Sequence, residues 1–300
     1  MNQVPQTLEE KRRGKTAIRV RVCAYAILWI VFAWCGLSHT SFRIHGDARI
    51  YLGNAADVTH GYVSKNVNAR LSGSEKHERL VTEGGYPFLL AAVGRIHPML
   101  PFMLNGILVA FMLLAIMLAA DALLHYTYAG LLTALLVPSC LLAVDMSVHQ
   151  SIGLSRHVLW FLTYPLRSTP SYVLAFAALW VGAHAAREKG NGKSSGPARV
   201  SHGFAAATLA GALLGLAGWT RISNLGFVLP VGVLLTRKGG NVRSTLAWFV
   251  FGLAAGLCPL FAQNIIEGKP FYHVGEMSRN FMQEVGPHGR AGDELRRGWH

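Results

Sequence analysis

Long stretches without any charged residue alternate with short polar segments along the whole of this 300-residue chain. Six of these stretches contain no Asp, Glu, Lys or Arg, and each is 19 to 25 residues long. A helix needs about 20 mostly apolar residues to cross the ~30 Å hydrocarbon layer of a membrane, and only internally hydrogen-bonded elements can cross it. The pattern therefore predicts six transmembrane helices, at residues 22–42, 96–120, 122–144, 168–186, 200–220 and 244–266.

A seventh charge-free stretch, residues 222–236, has 15 residues and is short for a span. Residues 200–236 together would give about 55 Å of helix at ~1.5 Å per residue, which is less than two crossings and a turn require. This hairpin is therefore predicted to stop short of the outer surface and to leave Arg221 recessed. A cation at membrane depth is a functional candidate with a lipid phosphate as its natural partner, unless its side chain reaches water.

The charged residues indicate the orientation of the chain. It carries 28 Lys and Arg against 15 Asp and Glu, a net charge of +13, although only 14% of its residues are charged and 52% are hydrophobic. Six basic residues between Lys11 and Arg21 precede the first helix, which places the N-terminus in the cytoplasm by the positive-inside rule. The segments then predicted to be cytoplasmic hold 13 basic and 4 acidic residues. The basic excess is thus a topology signal, and no nucleic-acid partner is predicted.

The predicted fold class is all-α: a polytopic membrane helix bundle with about seven membrane segments, a cytoplasmic N-terminus and a long first outer loop containing short interfacial helices. The first helix is too long for the ~7–15-residue apolar region of a signal peptide, so it is predicted to remain as an anchor. The predicted regions are a basic tail at 1–21, the first transmembrane helix at 22–42, outer loop 1 at 43–95, a bundle at 96–266 that includes an outer loop at 145–167, and an outer segment at 267–300.

Outer loop 1 opens with a pattern that predicts a short helix starting near Asp47. Positions 47, 51, 54 and 58 then share one face at helical spacing. The macrodipole and the free N–H groups of a helix N-terminus favour an ionised carboxylate, which could accept a proton or bind a cation. The alternative is that Asp47 is an ordinary N-cap, as aspartate often is.

Other polar residues are candidates by position. Tyr86 lies in a Gly-Gly-Tyr-Pro sequence where the chain re-enters the membrane, a pattern that by itself indicates a turn before a helix. Asn264 lies at the outer end of the last predicted helix. Asp145, with the histidines of the outer loops, could form an oxygen and nitrogen metal site, although scattered loop histidines are more often solvated. The sequence identifies no certain cofactor and leaves open a divalent metal ion.

Four polar elements follow one another along the chain: Asp47-x-x-x-Tyr51, Tyr86-Pro87, Thr220-Arg221, and Pro259 with Asn264 and Gly268-x-Pro270-Phe271. In their order and predicted topology they resemble the GT-C superfamily of membrane glycosyltransferases, which includes protein mannosyltransferases and aminoarabinose transferases. The resemblance covers nearly the whole chain. Members are longer, with more helices, so the resemblance implies that the 300 residues are a fragment or a truncated member.

The resemblance implies an enzyme of the plasma (inner) membrane whose site faces the outside or the periplasm. Its partners would be membrane lipid and a sugar donor linked to polyprenyl phosphate, with an unidentified acceptor. Asp47 would be the catalytic residue and Asp145 a candidate second acid. The residues expected to bind substrate are Arg49, Tyr51, Tyr86, Arg221 and Asn264.

Two alternatives stay open at the level of sequence. A transporter or flippase of a lipid-linked sugar would bind the same lipid without chemistry, but coupled transporters usually place ionisable groups near the bilayer midplane. The six charge-free stretches contain none, and 11 of the 15 acidic residues are predicted to lie outside, which favours an enzyme. An inactive truncated relative is the other alternative.

Overall fold

A computed structural model describes residues 8–38, 47–59, 85–124, 128–136, 168–190, 197–237 and 241–266. All but a few of these residues form helices, and there is no strand among them, so the all-α prediction is confirmed for this part of the chain. The elements are α1 (Leu8–Ser38), α2 (Asp47–Thr59), α3 (Gly85–Ile96), α4 (Leu100–Leu124), α5 (129–136), α6 (Ser168–Gly190), α7 (Pro197–Thr220), a 3-10 helix (Ile222–Phe227), α8 (Val228–Thr236) and α9 (Val242–Ile266).

Four helices among the described residues are long and apolar enough to cross a membrane: Ile18–Cys35, Leu100–Leu124, Gly203–Thr220 and Val242–Ile265. Each overlaps one of the predicted spans. The helix α6 forms where a span was predicted but is not one of these four, and two shorter apolar helices cover Gly85–Ile96 and Ile222–Thr236. Four apolar helices are compatible with a protein embedded in a membrane; the count of seven membrane segments and their orientation stay predictions.

Helix ends do not follow the charge boundaries used to predict them. α1 begins at Leu8, inside the basic segment, and ends at Ser38. Lys, Arg and Glu are good helix formers, so a helix can continue through them. In the same way α4 continues through Asp121, which separates the charge-free stretches 96–120 and 122–144, and ends at Leu124.

The long helices pack side by side in the order α1, α4, α6, α7 and α9, with α8 against α6. The short helix α3 contacts three others, since it packs on α2, α4 and α7. Tyr86 of α3 reaches Asn105 of α4, and Gly94 lies beside Pro101, so α3 and α4 form an antiparallel hairpin. This hairpin attaches α2, with the candidate acid at its start, to the end of the bundle where α7 ends.

The contact between α7 and α9 is made through glycines. A Cβ on Gly252 would lie 2.1 Å from the carbonyl oxygen of Thr208, and a Cβ on Gly211 would lie 2.1 Å from that of Phe249. Gly215 and Gly256 face each other in the same contact. Small residues let membrane helices approach to backbone contact, where dispersion holds them together. Only glycine fits these positions at this helix spacing.

The contact between α1 and α4 is built around a buried carboxylate. Asp121 accepts hydrogen bonds from the hydroxyl of Tyr25 and, at 2.8 Å, from the backbone N–H of Gly130. Arg21 lies 3.8 Å from the same carboxylate. A buried charge needs such partners because it has lost its water. Asp121 therefore ties α1, α4 and the start of α5 together.

Candidate functional site

The helix predicted from the first outer-loop motif is present, and it begins at Asp47. One of its faces packs against α3, where Ala55 joins Tyr86, Leu90 and Ala91 in an apolar cluster. Tyr51, Leu52 and Val58 cover that cluster from the α2 side. The predicted start of the helix is thus confirmed, while the side chains of Asp47 and Arg49 lie outside the described part of the structure.

Tyr86 is fully buried at the junction of α2, α3 and α4. Its hydroxyl donates a hydrogen bond to Oδ1 of Asn105 at 3.1 Å, and its ring meets the ring of Tyr51 edge-on with centroids 5.4 Å apart. Burial, reinforced by the nearby Tyr51, raises the pKa of Tyr86 well above its usual range. The hydroxyl is therefore neutral and donates its hydrogen bond to Asn105, while the ring of Tyr86 packs edge-on against the ring of Tyr51.

The start of α3 touches the end of α7 at two points. A Cβ on Gly85 would lie 3.0 Å from the backbone nitrogen of Thr220, so the two backbones are in direct contact. One turn along, the rings of Phe88 and Trp219 lie with centroids 5.6 Å apart. The Gly-Gly-Tyr-Pro and Trp-Thr-Arg elements, more than a hundred residues apart in sequence, therefore meet in space.

The end of α9 reaches the same place. The indole N–H of Trp219 donates to Oε1 of Gln263 at 3.4 Å, a long hydrogen bond between α7 and α9. Both Gln263 and Asn264 are buried, although they lie in the last turn of the helix. Among the described residues, Oδ1 of Asn264 has no hydrogen-bond partner.

Arg221 lies at a break between two helices. Its backbone is extended, with φ −157° and ψ 108°, between the end of α7 and the 3-10 helix. The backbone N–H of Arg221 donates to the carbonyl of Ala217 at 2.7 Å, and Oγ of Ser171 donates to the same carbonyl at 3.0 Å. The buried amide of Asn224 in turn donates to Ser171. Arg221 is half-buried, and the carbonyl that accepts from its backbone N–H also accepts from α6.

The structure thus brings together Tyr51, Tyr86, the turn at Arg221 and the end of α9 that carries Asn264. Asp145 and the outer-loop histidines lie outside the described residues. Within the described ranges, no three His, Cys, Asp or Glu side chains are grouped as metal ligands would be. A divalent metal ion accordingly stays an open candidate for a cofactor, as the sequence left it.

Sequence reasoning missed the polar residues that hold this site in place: Asn105, Ser171, Asn224 and Gln263. Their signal was present, because each is an amide or hydroxyl in an otherwise apolar stretch. Buried polar groups need hydrogen-bond partners, so such residues point to polar contacts between helices. A search for charge-free stretches counts them as part of the apolar background.

Comparisons of this chain with protein-family models, with curated proteins and with solved structures find no match.

Proposed function

We propose that this chain is a membrane glycosyltransferase of the GT-C type, which transfers a sugar from a polyprenyl-phosphate-linked donor to an acceptor at the outer face of the membrane. One observation carries the proposal. Four polar elements that are spread from residue 47 to residue 264 converge at one end of a bundle that contains long apolar helices. Simple helix packing does not require that motifs so far apart in sequence meet at one place.

The elements supply the kinds of groups that glycosyl transfer needs. Asp47, at the start of α2, would be the general base that takes a proton from an acceptor hydroxyl. The acceptor oxygen then bonds to the anomeric carbon of the sugar while the bond from that carbon to the phosphate oxygen breaks. The leaving polyprenyl phosphate keeps the electron pair. A general base in such a position typically contributes ~10²–10⁴-fold to the rate.

Arg221, together with Arg49, would hold the phosphate of the donor and stabilise its charge as it leaves. The break at Arg221 is compatible with this role, because non-helical backbone at membrane depth is tolerated where it is buried in protein or lines a cavity. The prenyl tail in the membrane would fix the phosphate at interface depth and so orient the donor. Tyr51 would contact the substrate, and the fully buried Tyr86 would act by holding Tyr51.

The test replaces Asp47 by asparagine in the full-length protein, reconstituted in liposomes with a radiolabelled polyprenyl-phosphate hexose and an extract of cell-envelope acceptors. We expect transfer of label out of the lipid fraction to fall by ~10²-fold or more, because the general base is lost. The matched control is Asp57→Asn, which changes an acid on the same helix about 15 Å further along its axis and should keep wild-type transfer.

Wild-type turnover in the Asp47→Asn protein would refute the assignment of the base. Movement of the labelled lipid across the bilayer without any product, equally in both variants, would indicate a flippase instead. Expression and the unfolding temperature of each variant show whether a loss of transfer reflects chemistry or folding.

A further inference from the structure

The last turn of α9 contains two neighbouring amides that are used differently. Gln263 is 3% exposed and Asn264 is 2% exposed. Oε1 of Gln263 accepts a hydrogen bond from the indole of Trp219, whereas Oδ1 of Asn264 has no partner among the described residues. A buried amide oxygen without a partner costs folding free energy, and most buried polar atoms in proteins are paired. Asn264 therefore carries an acceptor that the described helices do not use.

The register of α9 against α7 shows where this acceptor lies. Asn264 continues the row formed by Gly252, Gly256 and Leu260, which are spaced four residues apart and so share one face of the helix. Gly252 contacts Thr208 and Gly256 contacts Ala212 on α7, so the two helices run parallel. Following this register, Asn264 lies level with the last residues of α7, beside the Trp219 to Gln263 contact.

The chain breaks out of α7 at the same level. Arg221 follows Thr220 directly, and its extended backbone separates α7 from the 3-10 helix. An arginine is suited to phosphate, because it offers several N–H donors in a fixed arrangement. A neutral amide oxygen is suited to a hydroxyl, which it can accept from. The two side chains thus provide complementary chemistry at one level of the bundle.

We propose that Oδ1 of Asn264 accepts a hydrogen bond from a hydroxyl of the donor sugar, next to the place where Arg221 binds the phosphate. The ligand class is a phosphate-linked sugar, not a bare lipid phosphate. This inference rests on the proposed function, which supplies the lipid-linked sugar. It adds that the sugar itself is recognised by a buried amide of α9.

The test compares two probes, a polyprenyl phosphate and the corresponding polyprenyl-phosphate hexose, for binding to the full chain in nanodiscs. Asn264→Leu keeps the size of the side chain and removes the acceptor. We expect it to weaken binding of the sugar-bearing lipid about tenfold and to leave binding of the polyprenyl phosphate unchanged. The control is Ile265→Ala, which changes the exposed neighbour of Asn264 and should leave the ratio of the two dissociation constants as in the wild type.

Thermal unfolding without ligand tests the premise separately. Since Asn264 buries an unused acceptor, Asn264→Leu should unfold at a temperature no lower than the wild type, whereas Gln263→Leu should unfold at a lower one. A lowered unfolding temperature for Asn264→Leu would overturn the inference, because the oxygen would then be paired within the chain. If Asn264→Leu binds each of the two lipids as tightly as the wild type does, the inference is also overturned, while the proposed function stays intact. Wild-type protein that binds neither lipid would overturn the proposed function itself and this inference with it.

Discussion

Two helix contacts at different places in this molecule are built in opposite ways. α7 and α9 meet through glycines, with backbone atoms against backbone atoms. α1 and α4 meet through large side chains around one buried carboxylate, Asp121, with Tyr25 and Met117 in the same cluster. The first contact depends on the absence of side chains, and the second depends on a few polar groups.

The two contacts also differ in the part of the molecule that they position. The glycine contact holds the ends of α7 and α9, where the candidate site lies, and it fixes the distance between the two backbones. In the carboxylate contact the hydrogen bonds fix one point, and α1 keeps most of its apolar surface exposed, as with Trp34, which is 73% exposed. Of these two contacts, the one that carries the candidate site thus has less room to adjust.

Loss of the carboxylate should have the largest effect on stability. We expect Asp121→Ala to lower the free energy of unfolding by about 3 kcal/mol, because breaking a buried pair leaves the Tyr25 hydroxyl, the Gly130 N–H and Arg21 without their acceptor. This value is the low end of the range for breaking a buried ion pair, because the Arg21 side chain is 37% exposed and water screens its charge. Chemical unfolding of the purified protein in one detergent measures it. Leu123→Ala, at an exposed position on the same helix, should change stability far less. Equal losses in both variants would contradict a stabilising role for the interactions of Asp121.

A methyl group in the glycine contact should be the next most damaging change. Gly252→Ala would place a Cβ 2.1 Å from the Thr208 carbonyl oxygen, so the helices must separate. We expect a loss of about 2 kcal/mol, typical of overpacking. The matched control is Gly232→Ala in α8, where an added Cβ meets nothing within 4 Å. Alanine is the better helix former by about 1 kcal/mol, so the control should be neutral or stabilising in the same unfolding titration. Similar losses at both glycines would remove the contrast between the two contacts.

The smallest effect is expected for one hydrogen bond of the carboxylate. Tyr25→Phe removes the hydroxyl that donates to Asp121 and leaves the Gly130 and Arg21 interactions. Hydrogen bonds to charged groups contribute about 1.5 kcal/mol at the low end of their range, which is the loss we expect. Combining Tyr25→Phe with Asp121→Ala should cost little more than Asp121→Ala alone, since the bond is already gone. Fully additive losses would show that the two residues stabilise the protein independently.

The apolar pattern predicted the helices well and their ends less well. Residues 200–220 and 244–266 were predicted as helices and correspond to α7 and α9, because their lengths and compositions leave few other structures. The break at Arg221 was also expected from the sequence, since the stretches around it are too short for two spans. In the sequence Asp121 separates two of the predicted helices, and the structure places it inside α4, because its carboxylate has partners on α1 and α5.

Most of the candidate site could be chosen from sequence, but not the contacts that hold it. Tyr51, Tyr86, Arg221 and Asn264 were selected from motifs, and their convergence could only come from the fold. The repeated Gly-x-x-x-Gly spacing at Gly211 and at Gly252 was available as a signal for close helix packing. Which two helices would use it depends on long-range packing that the local pattern does not contain.

The contact between Gly85 and Thr220 has a mechanical consequence for the proposed enzyme. Because the backbones of α3 and α7 touch there, a force on one is transmitted to the other without a side chain that could bend. The helix that starts at Asp47 is packed on α3, and Arg221 follows Thr220, so this backbone contact helps to set the distance between the elements that would carry the acid and the cation. In the proposed enzyme, such a spacing would favour the ligands that fit it.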